Sequence, residues 1–230
     1  MPTTSPDLRV NPTVREGRTA KFEARRNEII DIAAGLFAKN TYAGTGVSQI
    51  SAAANIRKGG LYYYIGSKEI LLVEIHERVM QPLLEVASRI VSLDAHPLVR
   101  LRLLSESLLR TITERQDHVQ VFLHEYRALQ GELLDRFRSR RRDYEAHVTT
   151  VFTDGVSMGA FVLDDLRLTT LAFLGMHNST YQWIQADGRL DARTISATYC
   201  RIFFDGVLSN GLTVASVDAD VDRFRPNIFG

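Results

Sequence analysis

The sequence contains almost no cysteine: Cys200 is the only one among 230 residues. A single thiol cannot form an intrachain disulfide, and it excludes a zinc site built mainly from cysteines. Cys200 lies in an apolar helical pattern, so we expect it to pack in a core. The sequence also lacks any apolar run near the roughly 18 residues needed to cross a bilayer, and its first residues do not resemble a secretory signal. We therefore expect a cytoplasmic protein without a membrane partner.

The side chains that catalysis or metal binding would need are present but do not form a set. His124 is followed by Glu125, but the second histidine that completes a zinc-protease helix is missing. Four further histidines fall on different predicted helices and are expected to be ordinary surface or core residues: His76, His118, His147 and His177. Because no acid, base and nucleophile converge, the sequence predicts neither an enzyme nor a metal or cofactor site.

The charge of the chain is balanced overall but unevenly distributed. The formal net charge is +1, yet residues 1–70 contain 10 Lys and Arg against 6 Asp and Glu, and residues 71–230 contain 18 against 21. A basic first third joined to a slightly acidic remainder fits a nucleic-acid-binding domain attached to a second domain. Apolar residues make up 45% of the chain, which is ample for globular cores.

Helical periodicity dominates the chain, and strand-like alternation is absent apart from the short segment 160–163. This pattern predicts an all-α protein. Polar or glycine-containing breaks separate the predicted helices, which cover residues 22–39, 68–93, 97–115, 118–129, 131–159, 165–186 and 191–210. The expected organisation is a disordered N-terminal arm, a first domain, a second domain and a loose C-terminal tail, over residues 1–20, 21–67, 68–211 and 212–230.

Residues 44–72 have the pattern of a helix-turn-helix. A short helix with Val47 and Ile50 on one face is followed by Asn55, which tolerates the left-handed backbone conformation of a sharp turn. The next predicted helix, 57–65, begins with two cations and two glycines and continues with three tyrosines. Small residues at its start allow close approach to a major groove, and tyrosine hydroxyls can reach phosphates. The segment therefore predicts a DNA-binding element.

Residues 26–72 resemble the N-terminal domain of the TetR (tetracycline-repressor-like) family of bacterial transcription regulators. The matching residues are Ile30, Ala33, Ala34, Phe37, Thr45, Val47, Ile50, Lys58, Gly59, Leu61, Tyr62, Tyr63, Ser67, Lys68 and Glu69. The sequence departs from the family pattern with Gly46 at a helix cap, Arg57 at the start of the second motif helix, and Tyr64 near its end. Glycine is an acceptable cap, so the expected fold stands, but the operator sequence does not carry over.

The resemblance implies that this motif binds double-stranded operator DNA. The candidate contact residues are Thr45, Arg57, Lys58, Gly59, Gly60, Tyr62, Tyr63, Tyr64 and Lys68. The lysines and the first two tyrosines are expected to bind phosphates, and Arg57, Lys58 and Tyr64 are expected to read base edges. A basic run from Arg15 to Arg26 precedes the motif. It is either a solvated leader or an arm that adds phosphate or minor-groove contacts.

The predicted helices 165–186 and 191–210 are apolar around most of their girth. Such helices need two partners, the core of their own chain and another surface. In the TetR family the corresponding helices form a four-helix interface with a second copy, so the resemblance implies a homodimer, with Phe203 and Val207 in the interface. A dimer would match a two-fold, near-palindromic operator.

A second, looser resemblance concerns the C-terminal half. The segment 177–192, with its Asn, Tyr, Trp and Asp-Gly-Arg-Leu, is similar to TetR regulators that respond to acyl-coenzyme A thioesters, as are the segment 122–129 and the arginine-rich helix after it. The resemblance implies an apolar slot with cations that bind phosphate. The implied effector-binding residues are Phe122, Tyr126, Arg138, Arg141, Arg142, Asn178, Tyr181 and Trp183.

Simpler interpretations of these residues stay open. The five arginines between residues 136 and 142 could form a solvated helix face. Tyr181 and Trp183 could pack the dimer helix instead of a ligand. Glu125 and Arg127 are expected to form a structural ion pair.

The sequence as a whole predicts a ligand-responsive transcriptional regulator, a repressor that a small hydrophobic effector such as an acyl-CoA thioester releases from operator DNA. One alternative is a multidrug-type sensor of cationic or neutral aromatic compounds. Another is a ligand-independent architectural DNA-binding protein. A cavity in the second domain would argue against the architectural protein, which needs none.

Overall fold

The structure of the protein is a computed structural model that describes residues 12–185, 188–205 and 214–229. Within these ranges the chain forms α-helices and short 3-10 turns and no β-strand, which confirms the all-α prediction. The chain divides into two compact units, Met1–Glu74 and Ile75–Gly230. This division lies inside the fourth helix, whereas the sequence predicted a domain boundary between residues 67 and 68, at the start of that helix.

The first unit consists of α1 (Pro12–Asn40), α2 (Val47–Ala53), α3 (Lys58–Ile65) and the beginning of α4 (Lys68–Val91). Apolar side chains recur every three or four residues along these helices, which keeps them on one face of each. The buried ones form the core: Ile29, Ile30, Ala33, Ala34, Phe37, Ile50, Leu61, Ile65 and Leu71. Both short helices, α2 and α3, pack against α1.

The expectation of a disordered arm over residues 1–20 is wrong for its second half. α1 begins at Pro12, so residues 12–20 are helical, and residues 1–11 lie outside the described part of the chain. Proline is tolerated at the first position of a helix, where its missing N–H has no intrahelical partner. Because no second proline follows within α1, the packed part of the helix can extend back to Pro12 as a regular helix.

The second unit is built around one buried helix. α5 (Pro97–Glu114) is buried along most of its length and packs against each of the five helices that follow it. These are α6 (Gln116–His124), which passes into a 3-10 turn (Glu125–Ala128), α7 (Gly131–Ser157), α8 (Leu166–Asn178), α9 (Ala192–Asp205) and α10 (Val214–Phe229). Cys200 is fully buried on α9, which confirms its expected place in the core.

The expected helix 165–186 is shorter in the structure. After α8 the chain continues as a 3-10 turn, Ser179–Gln182. The hydroxyl of Ser179 donates to the carbonyl oxygen of Met176 at 2.8 Å, and such side-chain bonds compete with the helical pattern. As a result Trp183 follows the turn and is not part of the helix.

The expected loose tail over residues 212–230 is also wrong, because residues 214–229 form α10. One face of this helix is buried through Val217, Val221 and Ile228. Arg225 adds an ion pair, since its guanidinium donates to both carboxylate oxygens of Glu106 on α5 at 2.8–3.2 Å. Glu106 is fully buried, and Arg225 of α10 compensates its charge together with Arg110 of α5, which lies 3.3 Å from the same carboxylate.

None of the helices in the described ranges has the length and apolar character that a membrane span requires. Across the same ranges, no group of three or more His, Cys, Asp or Glu side chains is arranged to hold a metal ion.

Candidate DNA-binding and effector sites

The turn between α2 and α3 has the geometry that the sequence predicted. Asn55 has a positive φ of 49°, which turns the chain sharply between the two helices. Gly46 lies at the start of α2 with an extended backbone, and its N–H donates to the side-chain oxygen of Gln49 at 2.6 Å. Glycine is thus an adequate cap at this position.

The start of α3 is exposed and positively charged. Arg57, Lys58 and Gly59 lie at the surface, and no side chain caps the first turn of the helix. The first N–H groups of a helix have no intrahelical partner and carry a partial positive charge. A phosphate group could therefore bind in front of α3.

The two glycines in the first turn of α3 are not required by the packing of the chain itself. A Cβ atom at Gly59 would meet no other atom within 4 Å, and at Gly60 it would reach Ile56 at an unstrained 4.0 Å. Neither glycine has a positive φ. Glycine inside a helix costs roughly 0.5–1 kcal/mol relative to alanine. These positions therefore fit an external partner that approaches the backbone closely.

The tyrosines of α3 form an aromatic cluster with Phe22 of α1. Tyr63 is 72% exposed and contacts Phe22 edge to face with ring centroids 5.4 Å apart, while Tyr64 stacks on Phe22 at 5.0 Å. Tyr64 is half-buried and Tyr62 is 42% exposed. Phe22 was not predicted as part of the site. It lies seven residues before Ile29, on the apolar face of α1, so the sequence indicates a core residue, and its partners Tyr63 and Tyr64 are distant in the chain.

Thr45 is corrected from a DNA-binding residue to a structural one. Its side chain is fully buried, and its hydroxyl lies within hydrogen-bonding distance of the carbonyl oxygens of Thr41 (2.8 Å) and Leu36 (3.2 Å). The hydroxyl therefore closes the loop between α1 and α2 and is not accessible to a phosphate.

Lys68 at the start of α4 has an internal role. Its ammonium donates to the carbonyl oxygen of Tyr42 at 2.5 Å and lies 4.0 Å from the centre of the Tyr42 ring. An ammonium group has three donors, so this role is compatible with a phosphate contact. Binding of DNA by Lys68 stays a prediction.

Two arginines of the basic run hold the first unit together. Arg25 donates to the carbonyl oxygen of Ala54 at the end of α2 and pairs with Glu28 at 2.6 Å. Arg26 pairs with Glu74 on α4 at 2.8 Å. An arm that reaches DNA would therefore have to use earlier residues of the run.

The second unit contains a partly open cavity of about 250 Å³ among α4, α5, α6, α7 and α8. Its wall is mostly apolar and includes Val79, Met80, Leu83, Leu108, Val119 and Leu123. Three predicted effector-binding residues also line it: Phe122, Arg141 and Asn178. The cavity thus combines an apolar slot with a few polar groups, as small-molecule sites do.

The cavity wall contains further residues that were not predicted from the sequence: Tyr144, Glu145, Leu171 and Leu174. They lie three, four or seven residues from Arg141 or Asn178. That spacing places them on the same helix faces as these two residues. The spacing of these residues was therefore visible in the sequence, but it identifies them as cavity residues only once the orientation of α7 and α8 is known.

Three arginines, Arg127, Arg138 and Arg141, lie near enough to the phenol of Tyr126 for their charges to act on it, and we call them the arginine cluster. A hydrogen bond and the charge of Arg127, together with the charges of Arg141 and Arg138, lower the pKa of Tyr126. Arg141 belongs to the cavity wall, so the cluster lies beside the cavity. Arg127 forms no ion pair with Glu125 in the described part of the chain, so the expectation of that pair is wrong.

Three predicted effector-binding residues are not brought to the cavity. The hydroxyl of Tyr181 bonds the ring of His124 at 2.5 Å, and Trp183, 47% exposed, lines a separate small pocket. The 3-10 turn after α8 breaks the helical register that would have carried both to the cavity face. Arg142 lies in an outer groove of α7, because it is one position around the helix from Arg141.

The arginine-rich segment of α7 has divided roles. Arg136 and Arg140 pair with Glu77 on α4 at 3.1 and 2.8 Å, so these two brace α7 against α4. Arg138 is exposed and weakly paired with Asp135 at 3.8 Å. The segment is therefore neither a purely solvated face nor purely an anion site.

A buried polar link joins α5 and α8 next to the cavity. The Nε2 atom of His177 accepts a hydrogen bond from the hydroxyl of Ser105 at 2.6 Å, while Nδ1 donates to the carbonyl oxygen of Phe173 at 2.7 Å. Burial lowers the pKa of His177 to about 4. The imidazole is thus neutral, which matches the carbonyl on one side and the hydroxyl on the other.

α8 and α9 expose large apolar side chains. Leu168 and Leu171 on α8 are 66% and 43% exposed, and Ile202 on α9 is 62% exposed. Phe203 is half-buried, and Val207 lies outside the described residues. Exposed apolar surface of this kind marks an interaction site.

Comparison with known proteins identifies the family. The family model of "Bacterial regulatory proteins, tetR family" matches residues 29–75, and that of "Tetracyclin repressor-like, C-terminal domain" matches residues 94–207. The HTH-type transcriptional repressor KstR2 of Rhodococcus jostii (strain RHA1) is 30% identical over 207 residues, which cover 83% of this chain and 95% of that protein. α10 lies beyond both matched segments.

Solved structures are similar over most of their length. AibR in complex with isovaleryl coenzyme A and operator DNA matches with a TM-score of 0.70 and 31% identity, covering 78% of this chain and 98% of AibR. The ketosteroid transcriptional regulator KstR2 of Mycobacterium tuberculosis matches with a TM-score of 0.76 and 25% identity, covering 81% and 96%. With a helix-turn-helix unit, a helical unit that contains a partly open cavity, and these relatives, the chain belongs to the TetR family of DNA-binding transcriptional regulators and is not an enzyme.

Proposed function

We propose that this regulator is a homodimeric repressor that an acyl-CoA thioester releases from a near-palindromic operator. The observation that carries the proposal is the cavity of the second unit, whose apolar wall meets Arg141 and the arginine cluster. Apolar area supplies affinity for an acyl group, and arginine forks suit the phosphates of coenzyme A. The likeness to AibR, which was solved with isovaleryl coenzyme A and operator DNA, supports the same assignment.

The proposed DNA interface is the exposed start of α3. Lys58 and the first N–H groups of the helix would bind phosphates, Gly59 and Gly60 would let the backbone approach the major groove, and Tyr62 and Tyr63 would add hydroxyl contacts. Arg57 and Tyr64 are the proposed base readers, with Lys58. Among them Arg57 is the more accessible, because the Tyr64 ring is stacked on α1.

The proposed dimer forms through α8 and α9. The exposed side chains of Leu168, Leu171 and Ile202 would be covered by the same surface of a second copy. A two-fold dimer presents two α3 helices, which suits two half-sites about 34 Å apart in B-DNA. Operator DNA in bacteria is cytoplasmic, so we assign the protein to that compartment.

Release would follow from a shift between two populations of the dimer. An effector that binds more tightly to a conformation with the wrong spacing of the two α3 helices favours that conformation and lowers operator affinity. In this scheme the effector binds and dissociates without being chemically changed, as expected for a regulator.

The test is a release experiment on operator DNA selected from a random pool. Fluorescence anisotropy should show that micromolar isovaleryl-CoA or a longer acyl-CoA dissociates the complex, while the free acids act more weakly. Arg141→Ala should weaken release by the thioester more than release by the acid. Arg142→Ala, on the outer face of α7, is the matched control and should behave as wild type. A complex that survives the whole acyl-CoA series contradicts the proposal.

A multidrug-type sensor is a second candidate because of one residue. Glu145 lies in the cavity wall, and a carboxylate there would attract a cationic aromatic compound. Release of the operator by such a compound, lost in Glu145→Gln, would favour this function over the thioester. The architectural alternative is disfavoured, because a protein without an effector has no use for the cavity.

A further inference from the structure

His76 is a buried polar residue that has no part in the roles described above. It lies on α4, is 4% exposed, and neither of its ring nitrogens has a hydrogen-bond partner among the described residues. Burial lowers the pKa of its imidazole to about 4, and the nearby main chain of Val121 only partly offsets that shift. The ring is therefore neutral at physiological pH, with one N–H donor and one acceptor nitrogen.

The surroundings of His76 are mostly aromatic, and the main chain of Val121, the polar group that acts on the ring, does not reach normal hydrogen-bond geometry with it. The ring of Phe122 lies 5.7 Å away and that of Phe137 lies 4.9 Å away, centroid to centroid. A leucine would fill such a place without leaving polar atoms unsatisfied, whereas a buried unsatisfied donor or acceptor destabilises the fold. An unsatisfied group of this kind is explained when a ligand supplies the missing partner.

His76 lies directly beside the effector cavity. Val79, Met80 and Leu83 follow it by three, four and seven residues, which is the spacing of one helix face, and all three line the cavity. Phe122 forms part of the cavity wall and also contacts the His76 ring. A rotation of the Phe122 side chain would therefore extend the cavity toward His76.

The size of the cavity supports such an extension. Its volume of about 250 Å³ lies below the roughly 300–1,000 Å³ of typical ligand sites. An acyl group with more than a few carbons would have to enlarge it. Movement of Phe122 would add volume and would also expose the polar atoms of His76 to the ligand.

We propose that His76 determines effector specificity: its imidazole hydrogen-bonds a carbonyl or hydroxyl oxygen carried by the hydrophobic part of the effector. This inference rests on the proposed function, because it takes the acyl group to enter the cavity of the second unit. It adds that the preferred acyl group is not a plain hydrocarbon. The acyl group carries an oxygen atom separate from the thioester, and that oxygen satisfies His76 once Phe122 has moved.

The experiment compares two thioesters that differ in one oxygen, cyclohexanecarbonyl-CoA and 4-oxocyclohexanecarbonyl-CoA. Isothermal titration of the full-length dimer should show about tenfold tighter binding of the oxo compound, as expected for one hydrogen bond to a buried group. His76→Leu should abolish this preference and bind the unsubstituted thioester at least as well as wild type. His147→Leu, the same exchange at a residue outside the cavity wall, is the matched control and should keep the preference.

Each outcome has a distinct meaning. If both thioesters bind without a preference in wild type, or if His76→Leu keeps the preference, the role of His76 is overturned while the proposed function stands. If neither thioester binds, the proposed function is contradicted, and the proposed role of His76 in binding the acyl group is contradicted as well. If the His76→Leu protein does not fold, NMR of ¹⁵N-labelled wild type tests the proposal in its place. The ring nitrogens of His76 should then shift with the oxo compound and not with its unsubstituted partner, and equal shifts would overturn the proposal.

Discussion

The two units of this regulator place their polar side chains in opposite ways. In the first unit the charged residues at the start of α3, Arg57 and Lys58, are exposed. In the second unit Glu106 and His177 are fully buried, and each is bonded to a partner on another helix, Arg225 on α10 and Ser105 on α5. DNA is a charged partner that meets a surface, whereas an acyl effector is apolar and has to be enclosed. Binding and stability should therefore be separable in the first unit and linked in the second.

The largest effect should come from Glu106→Ala. It removes the buried carboxylate partner of Arg225, which is 14% exposed, and leaves the exposed Asp222 as the remaining one. Breaking a buried ion pair costs up to about 3–5 kcal/mol. Thermal unfolding should report this loss, while amide exchange in α2 and α3 should change much less. The double variant Glu106→Leu, Arg225→Leu removes both charges and should recover most of the stability. Equal losses in the single and double variants would show that the ion pair is not the cause.

The second-largest effect should come from low pH, which should destabilise the second unit. All six histidines follow residue 75 in the chain. The folded-state pKa of His177 is about 4, below the value of about 6.5 in an unfolded chain. Between these values the unfolded state binds more protons, so stability is full above pH 6.5 and is lost as the pH falls toward 4, by up to about 3 kcal/mol. Chemical denaturation across this range should show the decline. His177→Gln should remove about half of it, because burial lowers the pKa of His76 to about 4 as well and His76 adds a similar contribution. Faster exchange in α3 than in α5 as the pH falls would contradict the assignment.

Lys58→Ala should separate DNA binding from stability. Loss of one phosphate contact should weaken specific and non-specific DNA binding alike and reduce the slope of log K against log salt by about one unit. The free energy of unfolding should stay within about 0.5 kcal/mol of wild type, because the side chain is exposed. Anisotropy titrations at several salt concentrations measure the slope, with Lys39→Ala as the exposed-lysine control. Tight operator binding by a Lys58→Ala, Tyr63→Ala double variant would remove α3 from the interface.

Two glycines, one in each unit, should have small effects and allow a direct comparison of the units. Gly59 in α3 and Gly175 in α8 both have open space where a Cβ would lie, so alanine at either position should stabilise the chain by about 0.4–1 kcal/mol. Gly59→Ala should nevertheless weaken operator binding, because the new methyl group faces the groove. Gly175→Ala should leave operator binding unchanged and weaken effector binding, because Gly175 lines the cavity. If both variants affect the same ligand, the two sites are not independent.

The helix-turn-helix was predictable because its determinants are local. The cap at Gly46, the left-handed Asn55 and the glycine pair of α3 act within a segment of about 30 residues, and the preferences of each residue type decide the backbone there. Thr45 was the exception. The motif gives no sign that its hydroxyl bonds the carbonyl groups of Leu36 on α1 and Thr41 in the loop after it.

The effector site was predictable only in part, because five helices assemble it. Phe122, Arg141 and Asn178 lie together in the cavity wall, since regular helices carry them, and their contact with an effector stays a prediction. Trp183 was not, because the 3-10 turn after α8 changes the register. α10 was missed for a related reason: the carboxylate that holds Arg225 lies 119 residues away in the chain.

The single cysteine makes this protein suitable for distance spectroscopy. Cys200 has no accessible surface, and a thiol that is buried in an apolar core does not react with maleimide or nitroxide reagents in the folded state. A cysteine introduced in place of the exposed Lys39 would therefore carry one spin label per protomer. Pulsed electron resonance on the dimer would then give the distance distribution between the two labelled DNA-binding units. The distance distribution can be recorded with operator DNA, with the thioester and with neither. It would then measure directly what fraction of the dimers has each spacing of the two DNA-binding units, which the release experiment shows only indirectly.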